Sequence, residues 1–408
     1  MSNQGPITRV SEPLRPKRGK STLFKAMGRL FGFFILLGAI IAGAFAWAGF
    51  SYTAPGPLEA KKILQIPKAA DRSAIAAVLQ QQGVISSGRL FSIVALFDEQ
   101  FRHAHLKPGE YDFPANASMA DVMGMLNRGD FVKYKVTIPE GWTSQMVVNR
   151  LNDQDMLDGA VSAVPAEGSL LPETYIVTRG YARDKLLADM AAAETKMLDG
   201  AAARLSPDSV VKSKEDLITL ASIVEKETGI AEERPQVAAV FLNRLKQHMR
   251  LQSDPTVIYG IVGGKGKLDH SITRDELDAA TPYNTYVIDG LPPAPIANPG
   301  KAAIEAVLNP ANVPYLFFVA NGAGGHAFAT TLEEHNANVK KWRALNGVAE
   351  PAPAVPTPPK PVPAPAPKAG PLSSVVTTPA PPPAPKLPAK TLPKKPAVKP
   401  AVPQKPTP

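Results

Sequence analysis

Two glutamates, Glu225 and Glu227, lie in the segment EDLITLASIVEKET (Glu215–Thr228). A carboxyl group held neutral beside a substrate donates a proton; held charged, it accepts one or steadies a developing cation. The segment is rich in helix formers and is followed by Gly229, a stop signal, which predicts a single helix. Leu217, Leu220, Ala221 and Val224 share one face at helical spacing. With Leu217 at the origin and about 100° per residue, Glu225 falls at roughly 80°, Lys226 at roughly 180° and Glu227 at roughly 280°. The glutamates flank the apolar stripe on opposite edges, and Lys226 faces water. Periodicity leaves both open, each as a cleft acid or as an ordinary helix-edge carboxylate.

Downstream, polar and aromatic side chains gather on stiff loops. Pro255 in LQSDPTVIYG is expected to break the helix begun near Glu233, which puts Gln252, Asp254 and Tyr259 on a turn. The segment TPYNTYVIDGLPPAPIANPG (Thr281–Gly300) is rich in proline and glycine and presents Tyr283, Asn284, Tyr286 and Asn298. Rings stack on the apolar faces of sugars, and amides bond hydroxyl and acetamido groups, so this set suits a saccharide polymer. His326, in GGHAF, is a further groove candidate, and burial with a hydrogen bond is the competing reading.

The elements that must position these residues read as α+β. Apolar spacing predicts helices over Asp71–Gln82, Ser87–Phe97 and Ser118–Leu126, with a turn and short strand in LKPGEYDF (Leu106–Phe113). Alternation at Val132, Tyr134, Val136 and Ile138 predicts a strand. Residues 60–135 are expected to form one small α+β unit and residues 136–345 a larger mixed one. The larger unit should end with a buried strand over Tyr315–Ala320 and a helix over Leu332–Leu345.

The chain has 408 residues, no cysteine and a net charge of +9. Residues 1–29 carry +6 and residues 351–408 carry +8, which leaves about −5 on the remainder. The basic balance belongs to the tails, so nucleic acid is not an expected partner. Without cysteine, disulfides, thiolate nucleophiles and cysteine-bound zinc are excluded. Leu30–Phe50 is 21 residues without a charge, about 31 Å as a helix, and so predicts a transmembrane helix behind a basic cytoplasmic tail (1–29). The positive-inside rule then exports everything beyond Tyr52. A cleaved signal peptide is the alternative, disfavoured by the length of the run and its leader. Residues 348–408, with 22 prolines after Glu350, predict a disordered, semi-extended arm that holds no core.

Other chemistry-bearing patterns are weaker. His103 and His105 lack an accompanying carboxylate cluster, so no metal site is expected. GGKGK (Gly263–Lys267) has Ile261 where a phosphate loop needs glycine. Ser209-Val-Val-Lys212 lacks the partner motifs of an acyl-enzyme.

The order and content of several motifs carry a resemblance. ASIVEKET (Ala221–Thr228), NRL (Asn243–Leu245), MRLQSDPTVIYG (Met249–Gly260), YNTY (Tyr283–Tyr286), GLPPAPIANPG (Gly290–Gly300) and GGHAF (Gly324–Phe328) resemble the endolytic murein transglycosylases, the MltG or YceG-like family. The resemblance runs from the anchor to about residue 345 and omits the arm. It implies a LysM-like subdomain over 60–135 and a catalytic domain over 136–345, held in the periplasm by an inner-membrane helix. The implied activity is cleavage of the MurNAc-GlcNAc β-1,4 bond within nascent glycan strands, leaving 1,6-anhydroMurNAc ends and terminating elongation. It also implies Glu227 as the catalytic group, followed by Thr228 where related enzymes carry a small hydroxyl residue, with Glu225 as the alternative. Gln252, Asp254, Tyr259, Asn284, Tyr286, Asn298 and His326 are the expected substrate contacts. No cofactor or metal is required, because the muramic acid C6 hydroxyl supplies the attacking oxygen. The implied partners are peptidoglycan strands, the cytoplasmic membrane and a peptidoglycan synthase whose identity the sequence does not give. The rival reading is a non-catalytic wall-binding scaffold. To carry a proton near neutral pH, Glu227 must titrate above about 4.3; reaching about 6 takes roughly 2.3 kcal/mol, which apolar neighbours such as Leu220 and Val224 would supply.

Overall fold

Capping residues fix where the chain turns into helix. Ser118, Ser213, Thr273 and Thr331 each accept from a backbone N–H three residues on, and the acid at that position bonds back, closing a capping box. The computed structural model describes Met1 and residues 20–347; most of the basic leader and the proline-rich arm over 348–408 lie outside the described residues.

In chain order the elements begin with α1 (Lys20–Thr53), β1 (Lys62–Ile66), α2 (Arg72–Gln81), α3 (Gly88–Arg102), β2 (Gly109–Phe113) and α4 (Met119–Arg128). Then come β3 (Tyr134–Thr137), α5 (Ser144–Asn152), β4 (Leu157–Asp158), β5 (Thr174–Val177), β6 (Tyr181–Ala182) and α6 (Arg183–Ala202). The last group is α7 (Lys214–Glu227), α8 (Arg234–Lys246), α9 (Asp254–Val262), α10 (Arg274–Asp278), α11 (Lys301–Leu308), β7 (Phe317–Ala320), β8 (His326–Ala329) and α12 (Leu332–Leu345). Helix and sheet are mixed throughout. The strands pair two by two: β1 with β2, β3 with β5 and β7 with β8 antiparallel, and β4 with β6 parallel.

α1 is a single apolar helix, long enough to cross a membrane from Phe24 to Thr53, with a mean hydropathy of 2.3. Three apolar clusters follow it. The first packs β1, β2 and α2–α4 around Leu79, Phe91, Tyr111, Phe113 and Leu126. The second packs β3, β5 and α5 against the start of α6. The third surrounds α7 with α8, α11 and β7–β8. Glu110 links the first two: it bonds Arg179 Nε (2.9 Å) and accepts from the Tyr134 hydroxyl (2.5 Å).

The structure differs from the sequence reading in several places. β1 was not expected, and the strand at Tyr134–Thr137 pairs with β5 in the second cluster rather than closing the first. The expected buried strand near Tyr315 is only half-buried and begins at Phe317, because α12 covers it incompletely. Pro255 breaks no helix. α8 has already ended at Lys246, and Pro255 opens α9, where its missing N–H costs nothing.

Candidate active site

α7 is the axle of the third cluster. Every residue from Leu217 to Val224 is buried, Thr219 and Ser222 included, so no single stripe describes it. The Ser222 hydroxyl accepts from the Ile296 N–H (3.0 Å) and pins the proline-rich loop to the helix. α7 stops at Glu227 because Thr228 turns extended; Gly229 does not act as a left-handed stop.

The two glutamates separate at this point. The Glu225 carboxylate accepts from the Gly300 N–H (3.0 Å) and pairs with Arg234 (3.4 Å), which also approaches Glu140 (3.7 Å). Its side chain is 5% exposed, and these partners give it a structural task. Lys226 is exposed, as expected, while its ammonium also donates to the Gly141 carbonyl.

Glu227 instead opens onto a cavity of about 390 Å³, within the usual range for ligand clefts. Arg244, Gln252, Asp254, Tyr286, His326 and His335 line it with Glu227, over an apolar side from Leu251 and Phe318–Ala320. The residue is half-buried, and its carboxyl is withdrawn from water. Loss of hydration pushes the carboxyl up to about 7; the Ser253 hydroxyl bond and Arg244 oppose the rise, and the Asp254 charge adds to it. That rise corresponds to about 3 kcal/mol of disfavoured charge and leaves roughly half the molecules protonated at neutral pH.

Ser253 explains how the carboxyl is aimed. Serine before Asp-Pro is a favoured helix cap, yet its hydroxyl makes no capping bond and donates to Glu227 Oε1 (2.5 Å). A buried hydroxyl cluster holds it there. Ser253 N–H donates to Thr285 Oγ1 (2.9 Å), Thr256 Oγ1 donates to the Ser253 carbonyl (2.6 Å), and the two threonine hydroxyls meet at 2.8 Å. Gln252 sits at φ 53°, a left-handed turn held by its N–H bond to the Thr285 carbonyl (3.1 Å).

The walls are fixed in similar ways. Asp254 accepts from the Tyr286 hydroxyl (2.6 Å). Arg244 is buried, donates to the Leu316 and Leu251 carbonyls and to Gln252 Oε1, and lies over the Phe317 ring. His326 Nδ1 meets Glu233 Oε2 at 2.7 Å, and its N–H donates to Oε1 of the same carboxylate. A Cβ on Gly325 would stand 2.4 Å from that carboxylate, which accounts for the glycine before His326. Partial burial works against the Glu233 charge, but the His326 bonds outweigh it and hold the carboxyl below the ordinary glutamate range. Thr228 donates to Glu233 (3.2 Å), so the hydroxyl after the catalytic candidate braces this pair rather than touching Glu227.

Of the expected contacts, Gln252, Asp254, Tyr286 and His326 meet Glu227 around the cavity. Tyr259, Asn284 and Asn298 lie outside that lining. Tyr259 packs on Tyr283 (4.8 Å between rings) against the third cluster. Asn284 is fully buried and donates to the Leu277 and Ala279 carbonyls. Asn298 is fully buried between Leu170, Trp142 and Ser144. A bend without a sheet ladder needs its amides for its own backbone. Sequence reasoning missed Ser253, Glu233 and His335 and gave Arg244 no role. Arg244 stood inside the quoted NRL motif; His335, on α12, carried no signal.

A family model, described as the YceG-like family, matches residues 64–341. The endolytic murein transglycosylase of Bacillus subtilis strain 168 is 30% identical over 339 residues, covering 74% of this chain and 91% of that protein. The protein of the same name from Streptococcus pneumoniae strain D39 is 29% identical over 370 residues, 76% of this chain and 64% of the relative. A crystal structure of a YceG-like protein from Listeria monocytogenes aligns with a TM-score of 0.44 at 29% identity, over 68% of this chain and 98% of that one. With the match spanning most of its length, this chain belongs to the YceG-like family.

Proposed function

We propose that the protein is a lytic transglycosylase that cleaves peptidoglycan strands internally, with Glu227 as its acid and base. The carrying observation is a carboxyl pushed up to about 7 in a saccharide-sized cavity, at the last residue of a buried helix. Protonated Glu227 donates to the leaving GlcNAc oxygen. The resulting carboxylate takes the proton of the muramic acid C6 hydroxyl as that oxygen attacks the anomeric carbon, which closes the 1,6-anhydro ring. The internal nucleophile has a high effective concentration, so no activated water is needed. Tyr286 and Phe318 offer faces for sugar rings, and Arg244 offers a cation for acetamido or carboxylate oxygens.

In this reading α1 anchors the protein in the inner membrane, with the N-terminus cytoplasmic and the catalytic region, about 136–345, in the periplasm. The region over 60–135 acts as a LysM-like glycan-binding subdomain, and a peptidoglycan synthase supplies the nascent strand that cleavage terminates.

Glu227→Gln should remove cleavage, at least about 100-fold in rate, while the protein stays folded. The assay is release of anhydro-ended muropeptides from purified sacculi, read by mass. Wild-type rates from the variant would refute the assignment. Binding without any release by the wild-type protein would favour the scaffold, and free reducing ends would mark a hydrolase.

A further inference from the structure

α3 carries more apolar side chains than its buried face can cover. Its inner face, with Phe91 and Ala95, fills the first cluster. Its outer face is left open: Ile93 is 55% exposed, Leu96 48%, Phe97 58% and Phe101 72%. Phe97 and Phe101 stack at 5.6 Å, so the open face is a contiguous patch rather than scattered side chains. The patch has a definite height relative to α1. Tyr52, in the last turn of α1, shares a cleft of about 360 Å³ with Val94, Phe97, Asp98, Phe101 and Arg102. The charge-free run ends at Phe50, so Tyr52 lies only about 3 Å farther along the helix axis. Aromatic rings beside Tyr52 therefore stand where hydrocarbon gives way to headgroups, the depth such rings favour. Arg89 and Arg102 on the same helix supply positive charge near the patch, with Arg102 paired to Asp98 (3.2 Å) and Glu99 held by Arg72.

We infer that the outer face of α3 lies in the interfacial layer of the same bilayer that α1 spans, with Phe97 and Phe101 at the acyl boundary and the flanking cations among anionic headgroups. The inference rests on the reading of α1 as a membrane span. It gives the first cluster a second fixed point beside α1, so the region behind α1 is held against the membrane surface.

The chain has no cysteine, which makes single-site labelling clean. Full-length Phe97→Cys and Phe101→Cys, with Ile40→Cys in α1 and Glu333→Cys on α12 as references, carry an environment-sensitive fluorophore in phosphatidylcholine–phosphatidylglycerol vesicles. The expected result is quenching at 97 and 101 by shallow spin-labelled lipid several-fold above that at 333, with protection from aqueous iodide. If 97 and 101 are as open to iodide as 333 while 40 reports lipid, the anchor stands and the docking is wrong. If 40 is aqueous as well, the anchor reading fails and the docking falls with it. Protection lost on dilution to one protein per vesicle would assign the face to a second copy, and protection that needs added glycan would assign it to the wall; either overturns the inference.

Discussion

Replacing Ser253 with alanine tests the electrostatics of the site directly. The hydroxyl donates to Glu227 Oε1 and therefore favours the charged carboxylate. A hydrogen bond to a charged group is worth about 1.5–3 kcal/mol, or about one to two pH units. Starting from about 7, the Glu227 carboxyl in Ser253→Ala should move into the range of about 8–9. Cleavage needs the protonated acid, so activity falls as pH rises through this value. The alkaline limb of kcat/KM should therefore move upward by about one to two pH units, even as the maximal rate declines with a misaimed carboxyl. Asp254→Asn should move the same limb downward, because the Asp254 charge raises Glu227, while the amide oxygen keeps the Tyr286 bond. Release of anhydromuropeptides across pH 5–10 by the full-length protein in detergent reads both limbs. An unmoved limb in Ser253→Ala, or one moving in the same direction in both variants, would refute the identification of Glu227 as the titrating acid.

Glu194, on α6, is 1% exposed, neither carboxyl oxygen has a hydrogen-bond partner, and burial pushes the group up to about 8. A buried acid raised in this way binds protons more readily folded than unfolded, so folding stability should fall between about pH 4.5 and 8. Glu194→Met should flatten that dependence and raise the thermal midpoint at pH 9, as scanning calorimetry would record. Arg234→Met leaves the Glu225 carboxylate buried without its cation and should cost about 3–5 kcal/mol in denaturant unfolding. Cleavage per folded molecule should survive that change, since Glu227 faces elsewhere. Asn298→Ala removes the acceptor of the Leu170 N–H and one of two donors to the Trp142 carbonyl, and should lower stability by about 1–3 kcal/mol with KM unchanged. A raised KM without a stability loss would restore Asn298 as a substrate contact.

Much of the architecture is legible wherever it is dictated locally. The apolar helix α1, the start of α4 after Ser118 and the α12 bounds follow from apolar runs and local spacing, signals contained within a few residues. Where pairing is long-range, sequence reading fails. β1 is a five-residue segment that becomes a strand only because β2, more than 40 residues away, pairs with all five of its residues. The site shows the same division. That Glu227, Gln252, Asp254, Tyr286 and His326 belong together could be read from motif content, but Tyr259, Asn284 and Asn298 share those motifs and serve the scaffold instead. Residue type cannot tell an amide aimed at a sugar from one aimed at its own loop. Ser253 is the sharpest case: its position reads as a cap, and only the approach of α7 diverts its hydroxyl.

The two acids of the cavity occupy opposite poles of two helices. Glu227 closes α7, where the unpaired carbonyls concentrate partial negative charge, and Asp254 opens α9, where unpaired N–H groups concentrate positive charge. The first setting disfavours a carboxylate and acts in the same direction as burial. The same geometry explains why the choice between Glu225 and Glu227 escapes periodicity: an angle about the α7 axis says nothing of which carboxyl stands at its end. Glu225 is two residues short of that end and finds the N-terminus of α11 through Gly300, which fits a structural anion. Position along the axis, more than angle around it, separates the carboxyl facing the cavity from the one that anchors α11.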